Sequence, residues 1–293
     1  MAVKKNLSVV ILNYNTGNYL SECLNSLHEV EEEANLDIWV VDNNSSDESL
    51  KKAQRFFPKF NYIQSGDNLG FTKGNNLALR KVKSEYVLIL NPDTKILPTT
   101  LKTLLDYLEE HPQVGTVSPR VELADGSLDW ASHRGFPTPL ASLLYYFFKN
   151  DSLYHLSNRD FSKPHEVDSL TGAFILTRKS VLDKVGLFDE DYYMYAEDID
   201  LCFRIKKAGY KIVYLPQVKI IHYKGISSGI KKHSQQLTTT DLVSRLRSVN
   251  FFYETMKIFY QKNLAADYPF FINWLVYLGI NLRWALAKRK LKV

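Results

Sequence analysis

Cysteine is scarce. The 293 residues hold only Cys23 and Cys202, too few and too far apart for a disulfide framework or a cysteine zinc site, so a reducing, cytosolic setting is expected. Long apolar runs are missing too. The most apolar of the long charge-free runs, Tyr268 to Leu282, has 15 residues, which as a helix reaches about 22 Å and falls short of a roughly 30 Å hydrocarbon core. Behind the basic start, apolar residues run only from Leu7 to Leu12, broken by Ser8, with no small-residue cleavage site, so no signal peptide is expected. The glycine-containing loop from Gly66 to Asn76 satisfies neither GxxxxGK[ST] nor GxGxxG, which disfavours an ATPase or a dinucleotide enzyme. No internal repeat is present.

What is there is a globular composition: 45% apolar, 24% charged and 13% aromatic, with 18 Tyr and 16 Phe, outside the range of disordered or fibrous chains. The net charge of +5 is unevenly spread. From Lys224 onward twelve Lys/Arg face three acids, a net of +9, leaving about −4 for the rest. A basic tail rich in aromatics points to a membrane surface rather than nucleic acid.

Short β-rich runs alternate with amphipathic helical patterns through the first half, the signature of an α/β fold with a mostly parallel sheet. Strands are predicted over Leu7–Leu12, Asp37–Val41, Phe60–Gln64 and Tyr86–Leu90, and helices around Leu20–Leu27 and over Ser46–Phe57, Thr72–Val82 and Thr99–Glu110. Pro119 to Pro164, with Trp130, His133 and the run from Leu143 to Phe148, looks like an irregular inserted acceptor-side segment or lid. Strand character resumes over Asp168–Thr177, a helix follows over Ala196–Ala208, and two short strands over Tyr210–Leu215 and Val218–His222. From about Thr239 the pattern turns helical, apolar and basic. Trp274, Tyr277 and Trp284 beside Arg283, Lys288, Arg289, Lys290 and Lys292 suit a helix lying in the headgroup layer; a core or dimer helix has the same pattern.

Polar groups gather where such a sheet binds ligands, at the carboxyl ends of its strands. Asn13-Tyr14-Asn15 and Asp42 to Asp47 should face one another: a carboxylate there can accept the imino hydrogen of a base and a tyrosine can stack on it, although Asp42 to Asp47 also suits a turn and helix cap. The Gly66–Asn76 loop can offer N–H groups to phosphate or be a plain turn. Asp93, in Asn91-Pro92-Asp93, is a hard ligand for Mg²⁺ or Mn²⁺ shared with phosphate oxygens. Glu197 and Asp198 open a helix whose acidic start and basic end make it well capped, and a carboxylate so placed can act as a general base. His222 ends a strand, where imidazole suits Mn²⁺ or plays a structural part.

In their order and spacing, VDNNSSD, NLGFTKGNN, LNPDT, LTGAFILTRKSVLDKVGLFDEDYYMYAEDIDLCFRIKKAGYKI and IIHYKG resemble glycosyltransferase family two, most closely its rhamnosyltransferase-like branch, over residues 6 to 250. The resemblance implies a GT-A fold, a nucleotide-diphosphate-sugar donor, a divalent cation and inversion at the anomeric carbon. Tyr14 and Asp42 match base-contacting positions, with Asn15 in the same turn; Asn68 and Lys73 fall in the loop near ribose and diphosphate. Asp93 matches the last acid of the D-x-D metal motif, with Asn91 in place of the first. His222 matches the late metal- or diphosphate-reaching histidine. Asp198 matches the general base, with Glu197 its neighbour. The processive branch's Q-x-x-R-W is absent, since Ile280 stands where the glutamine before Arg283-Trp284 belongs.

The resulting expectations are a GT-A catalytic domain over 1–238, with 119–164 inserted, and a helical, basic-aromatic region over 239–293. The function expected is an inverting, non-processive transferase, favouring dTDP-rhamnose over a UDP-hexose and using Mn²⁺ or Mg²⁺. A lipid-linked glycan acceptor, the inner face of the plasma membrane and a homodimer complete the partners; nucleic acid is not among them. Trp130, His133, Gly172 and Ala173 are the acceptor-side candidates. A sugar-phosphate nucleotidylyltransferase and a non-catalytic membrane-surface scaffold are the competing classes.

Overall fold

The computed structural model describes residues 4–223 and 242–291. Lys224 to Ser228 after His222, the predicted helix start over 239–241, and Lys292 lie outside the described residues. A βαβ unit opens the chain: β1 (Asn6–Asn13), α1 (Tyr19–Glu29) and β2 (Asn35–Asp42), with β1 parallel to β2 and Asn13 opposite Asp42. Helix α2 (Ser49–Phe56) leads to β3 (Asn61–Gln64), and α3 (Gly70–Leu79) to β4 (Tyr86–Leu90). Then come β5 (Thr94–Ile96), α4 (Thr100–Glu110), β6 (Val114–Leu123), β7 (His133–Arg134), α5 (Pro139–Phe148), β8 (His165–Glu166), β9 (Ser169–Leu170) and β10 (Phe174–Arg178). Helices α6 (Lys179–Val185) and α7 (Glu197–Lys207), strand β11 (Lys211–His222), and helices α8 (Leu242–Asn263) and α9 (Phe270–Leu291) complete it.

The main sheet runs β3-β2-β1-β4-β10-β6-β11-β5, with β8 beside β11. β3, β2, β1 and β4 are mutually parallel, as are β6 and β11, while β10 is antiparallel to both its neighbours. Helices cover both faces, so central strands are apolar on both: Leu7, Val9 and Ile11 of β1 join one core with Leu24, Leu104 and Leu108, while Val10 joins the other with Ala78 and Ile89. Each of the fully buried Val, Leu and Ile side chains contributes about 1.5–3 kcal/mol. Both cysteines are buried in helices, and burial pushes their thiols up to about 12, leaving them unreactive.

The structure departs from the sequence-based expectation in five places. The predicted strands before and after Pro216 are one strand, β11, whose register against β6 shifts between Leu215 and Lys219; the bulge accommodates a residue without an N–H. The expected strand over Asp168–Thr177 is broken between β9 and β10. The supposedly irregular 119–164 segment holds the end of β6, strand β7 and helix α5; Thr138 caps α5 by accepting the Ala141 N–H, with Pro139 in the first turn. Strand β5 and helix α6 were not anticipated, each being too short for a periodic signal. Last, α9 extends beyond the 15-residue run to 22 residues, about 33 Å, so it is long and apolar enough to cross a membrane. It nevertheless runs against α8, joined by the hydrogen bonds from Trp284 to Asn250 (3.0 Å) and from Tyr260 to Asn273 (2.6 Å).

Helix α8 is in turn fastened to the α/β body. Phe259, Tyr260 and Leu264 share a core with Tyr192 and Ile199, Lys262 bridges Asp189 and Asp191, and Asn263 donates to Asp200 at 2.9 Å.

Candidate active site

The strand order reverses between β1 and β4: the chain builds outward to β2 and β3 on one side, then returns to place β4 on the other. Outside the carboxyl ends of β1 and β4 the connections diverge and leave a crevice. It opens into a cleft of about 1270 Å³, larger than the roughly 300–1,000 Å³ of a single small-molecule pocket.

Its first wall comes from the turns after β1 and β2, which bind each other as expected. The Asn15 N–H donates to Ser45 Oγ (3.0 Å), Asn15 Oδ1 accepts the Ser46 N–H (2.7 Å), and the Gly17 N–H donates to Asp47 (2.8 Å). Asn15 adopts a left-handed φ of 52° to make this turn, a conformation asparagine tolerates. Asp42 is buried behind the wall, its carboxylate accepting from Asn13 Nδ2 (2.7 Å) and from the Ser45 N–H (3.0 Å). Tyr14, 39% exposed, and Asn15 line the cleft, whereas Asp42 does not.

The second wall is the loop entering α3. Gly70 has φ +78°, and a Cβ on it would sit 2.4 Å from the Tyr193 carbonyl oxygen, so glycine is required there. That approach lets Phe71 N–H donate to Tyr193 O (2.8 Å), while Tyr193 Oη and Asn43 Nδ2 both donate to Asn68 Oδ1 (2.9 and 3.0 Å). Asn68 thus lines the cleft; Lys73, one turn into α3, is exposed and outside it.

The floor is Asn91-Pro92-Asp93. Asn91 donates its N–H to the Ala173 carbonyl (3.1 Å), and the Asp93 carbonyl accepts the Tyr223 N–H (2.9 Å). Antiparallel pairing of β5 with β11 sets His222 opposite Thr94 and its Nε2 3.2 Å from Asp93 Oδ1; its Nδ1 faces Asp129 Oδ2 at 3.5 Å. Burial opposes the imidazolium, but the charge of Asp93 and the bonds to Asp129 and Asp93 outweigh it and raise the His222 pKa to about 9. Among the described residues no group of three or more His, Cys, Asp or Glu is arranged to hold a metal alone. The Asp93–His222 pair fits a cation held jointly with phosphate oxygens once the imidazole gives up its Nε2 proton, which leaves an oxygen and an imidazole ligand with the Asp129 carboxylate behind the ring.

Opposite the floor is the start of α7. Tyr195 and Ala196 both have left-handed φ, 74° and 62°, strain of about 1–3 kcal/mol apiece that marks functional turns. The kink buries Glu197 and Asp198 at the cleft edge. Asp198 Oδ1 accepts the Ile199 N–H (2.8 Å), and Oδ2 accepts the Gly172 N–H (3.3 Å) and Arg134 Nη2 (3.4 Å). Burial first, and the adjacent Asp198 charge second, push the Glu197 carboxyl well above the usual range, so the two acids differ in character. Arg134 was not anticipated. Its only sequence signal was its place beside His133; the β7–β9 pairing delivers it to Asp198, and Tyr154 Oη lies 3.3 Å from its Nη1.

Of the anticipated residues, the cleft gathers Tyr14, Asn15, Asn68, Asn91, Asp93, Gly172, Glu197 and Asp198, with His222 against Asp93. Asp42, Lys73 and Ala173 do not line it. Neither do Trp130 and His133: Trp130 packs edge-on to Phe161, and His133 is buried among Phe161 and Tyr214 with Ser132 Oγ 2.7 Å from its Nδ1. Burial holds the His133 imidazole down to a pKa of about 3. Trp130 and His133 thus pack around Phe161 beside the sheet, while the same segment turns Tyr145, Tyr146 and Tyr154 into the cleft. The far arm of the cleft joins α5, from the segment expected on the acceptor side, to α8 and α9, whose part in the site was not foreseen.

The model of glycosyl transferase family 2 matches residues 8–186. This chain belongs to glycosyltransferase family 2. The transferase is 30% identical over 240 residues to the N-acetylglucosaminyl-diphospho-decaprenol L-rhamnosyltransferase of Mycobacterium tuberculosis, covering 76% of this chain and 78% of that one. It is 29% identical over 222 residues to the rhamnosyltransferase WbbL of Escherichia coli, covering 73% and 82%. Its GT-A fold is shared with GalNAc-T7, solved with UDP, GalNAc and Mn²⁺, at a TM-score of 0.60 and 16% identity over 88% of this chain and half of that one.

Proposed function

We propose that this glycosyltransferase is inverting and non-processive and moves rhamnose from dTDP-rhamnose to a hydroxyl of a lipid-linked glycan. The observation that carries this reading is that one cleft holds both the Asp93 end of the strand-end floor and the Asp198 carboxylate on the opposite wall. Donor and acceptor can meet between them. The rhamnosyltransferase names of the relatives at 29–30% identity support the sugar, and the diphospho-decaprenol in one of those names supports the lipid-linked acceptor.

In this reading Tyr14 and Asn15 hold the base, with Asp42 ordering their turn from behind, and Asn68 and Asn91 flank the ribose and diphosphate. Lys73 contributes positive potential from outside the cleft. Asp93 and His222 would hold Mn²⁺ or Mg²⁺ together with the donor's phosphates, the cation supplying Lewis-acid neutralisation of the leaving charge. Asp198 takes the acceptor hydroxyl's proton as its oxygen attacks the anomeric carbon. The bond to the nucleotide diphosphate breaks on the opposite face, and configuration inverts. Proton removal by a positioned base is worth about 10² to 10⁴ in rate. Arg134 and the Gly172 N–H fix the carboxylate that does it.

Residues 1–238 act as the catalytic domain, and 239–293 form a region whose helices α8 and α9 complete the cleft. Exposed Phe270, Phe271 and Trp274, with Lys288, Arg289 and Lys290 further along α9, support attachment at the inner face of the plasma membrane.

The test is transfer from dTDP-rhamnose, UDP-glucose and UDP-N-acetylglucosamine to a diphospholipid-linked N-acetylglucosamine, with the product anomer read by NMR. Rhamnose transfer with inversion supports the reading; transfer only from a UDP-sugar replaces the donor; retained configuration overturns the mechanism.

A further inference from the structure

The cleft continues well past the reacting groups. Beyond Asp198 its walls change character, with Leu140, Leu143 and Phe147 of α5 facing Leu275, Leu282 and Leu286 of α9. The same six side chains are between 46% and 75% exposed. The inside of the site and the outside of the molecule therefore share one apolar surface, open toward solvent at the lip between α5 and α9. A soluble sugar acceptor has no use for such a lining, because apolar area of this kind is costly to leave wet. Two cations sit in that wall. Arg283 lies over the Tyr146 ring, 4.2 Å from its centroid. Arg247 lies one turn before Phe251, whose ring stacks on Tyr193 of the donor wall at 4.5 Å.

We propose that the arm between α5 and α9 is the binding site for an isoprenoid chain carrying a phosphate group, with Arg247 and Arg283 as the phosphate contacts. This rests on the reading that the acceptor is lipid-linked, and it adds where the lipid goes and how it gets there. The chain lies along Leu143, Leu282 and their neighbours and enters sideways through the α5–α9 lip, so the glycan end arrives at Asp198 while the tail stays in an apolar phase. Guanidinium groups suit this place, since a planar fork can grip phosphate and stack on an aromatic ring at once. Helix α5 becomes the second lip of the membrane-facing side, opposite α9.

The test uses the full-length protein with its nucleotide site filled by saturating dTDP and Mn²⁺, or UDP if that is the nucleotide bound, so that a second phosphate ligand must bind elsewhere. Farnesyl diphosphate, inorganic diphosphate and phosphatidylglycerol vesicles are the probes. Farnesyl diphosphate should bind at least tenfold more tightly than inorganic diphosphate. Leu143→Asp and Leu282→Asp, both at exposed positions the fold does not depend on, should each weaken it tenfold or more, as should Arg283→Gln. Nucleotide binding should be unchanged in all three. Equal affinity for the two diphosphates, or wild-type affinity in both aspartate variants, overturns the proposal. So does loss of vesicle binding in the variants with farnesyl diphosphate affinity intact, which makes the lip a general membrane contact. If only these results fail while nucleotide binds and sugar is transferred, the lipid site alone is wrong; if no nucleotide binds, the transferase reading fails with it.

Discussion

Replacing Asp198 with asparagine separates chemistry from binding. The carboxylate accepts from Ile199 N–H with one oxygen and from Gly172 N–H and Arg134 with the other. An amide has one oxygen, so whichever way it turns, a buried donor on one side loses its acceptor, at about 1–3 kcal/mol of stability. The fold survives that. The rate does not: loss of a general base should lower kcat by about 10² to 10⁴, roughly 3 to 5 kcal/mol of barrier. Initial rates at saturating donor measure the first quantity, and calorimetric nucleotide affinity, which should be unchanged, controls for structure. Glu197 adds a refinement, because after burial the charge of Asp198 is what pushes its carboxyl above the usual range. Removing that charge favours ionisation of Glu197, so residual activity in Asp198→Asn should fall further in the Glu197→Gln/Asp198→Asn double variant. A kcat for Asp198→Asn within tenfold of wild type refutes the assignment of the base.

Arg134→Gln leaves Asp198 without its guanidinium partner and should lower kcat by up to about 10² through misplacement of the carboxylate, with nucleotide affinity preserved; Arg134→Lys, which keeps the charge but not the fork, should recover part of the loss in the same steady-state assay. Gly70→Ala combines a left-handed alanine, about 1–2 kcal/mol, with a Cβ 2.4 Å from the Tyr193 carbonyl, so urea denaturation should show a loss of roughly 2–5 kcal/mol once the about 1–3 kcal/mol of overpacking is included. His133, with a folded pKa near 3, stays neutral while the unfolded chain protonates near 6.5. Its contribution is complete above about pH 6.5 and is lost as pH falls toward 3, by up to about 1.4 kcal/mol per pH unit. His133→Gln should flatten the stability-against-pH slope between pH 6.5 and 5, and an unchanged slope would show that the imidazole is not held neutral.

The α/β class was legible because β1 and β4 are buried on both faces and so read as apolar runs, interrupted in β1 only by Ser8, with amphipathic helices between them. The family was legible from the strand-end motifs, which are local in sequence. What failed was long-range. Arg134 and His133 are neighbours on a two-residue strand, and alternation sends one to Asp198 and the other into a buried aromatic cluster. No pattern in so short a run says which is which. Residues 119–164 were placed on the acceptor side, but that they hold a helix escaped notice because α5 lies inside a stretch punctuated by Pro137, Pro139 and Pro164. Only the folded chain sets it opposite α9, about 130 residues later.

Calorimetric titration with dTDP and with UDP, each with Mn²⁺, with Mg²⁺ and with chelator, bears most directly on the central claim that this cleft is a nucleotide-diphosphate-sugar site. The account predicts binding of dTDP that strengthens with the divalent cation and weakens when Asp93 is replaced by alanine. Absence of binding by both nucleotides under every condition would contradict it.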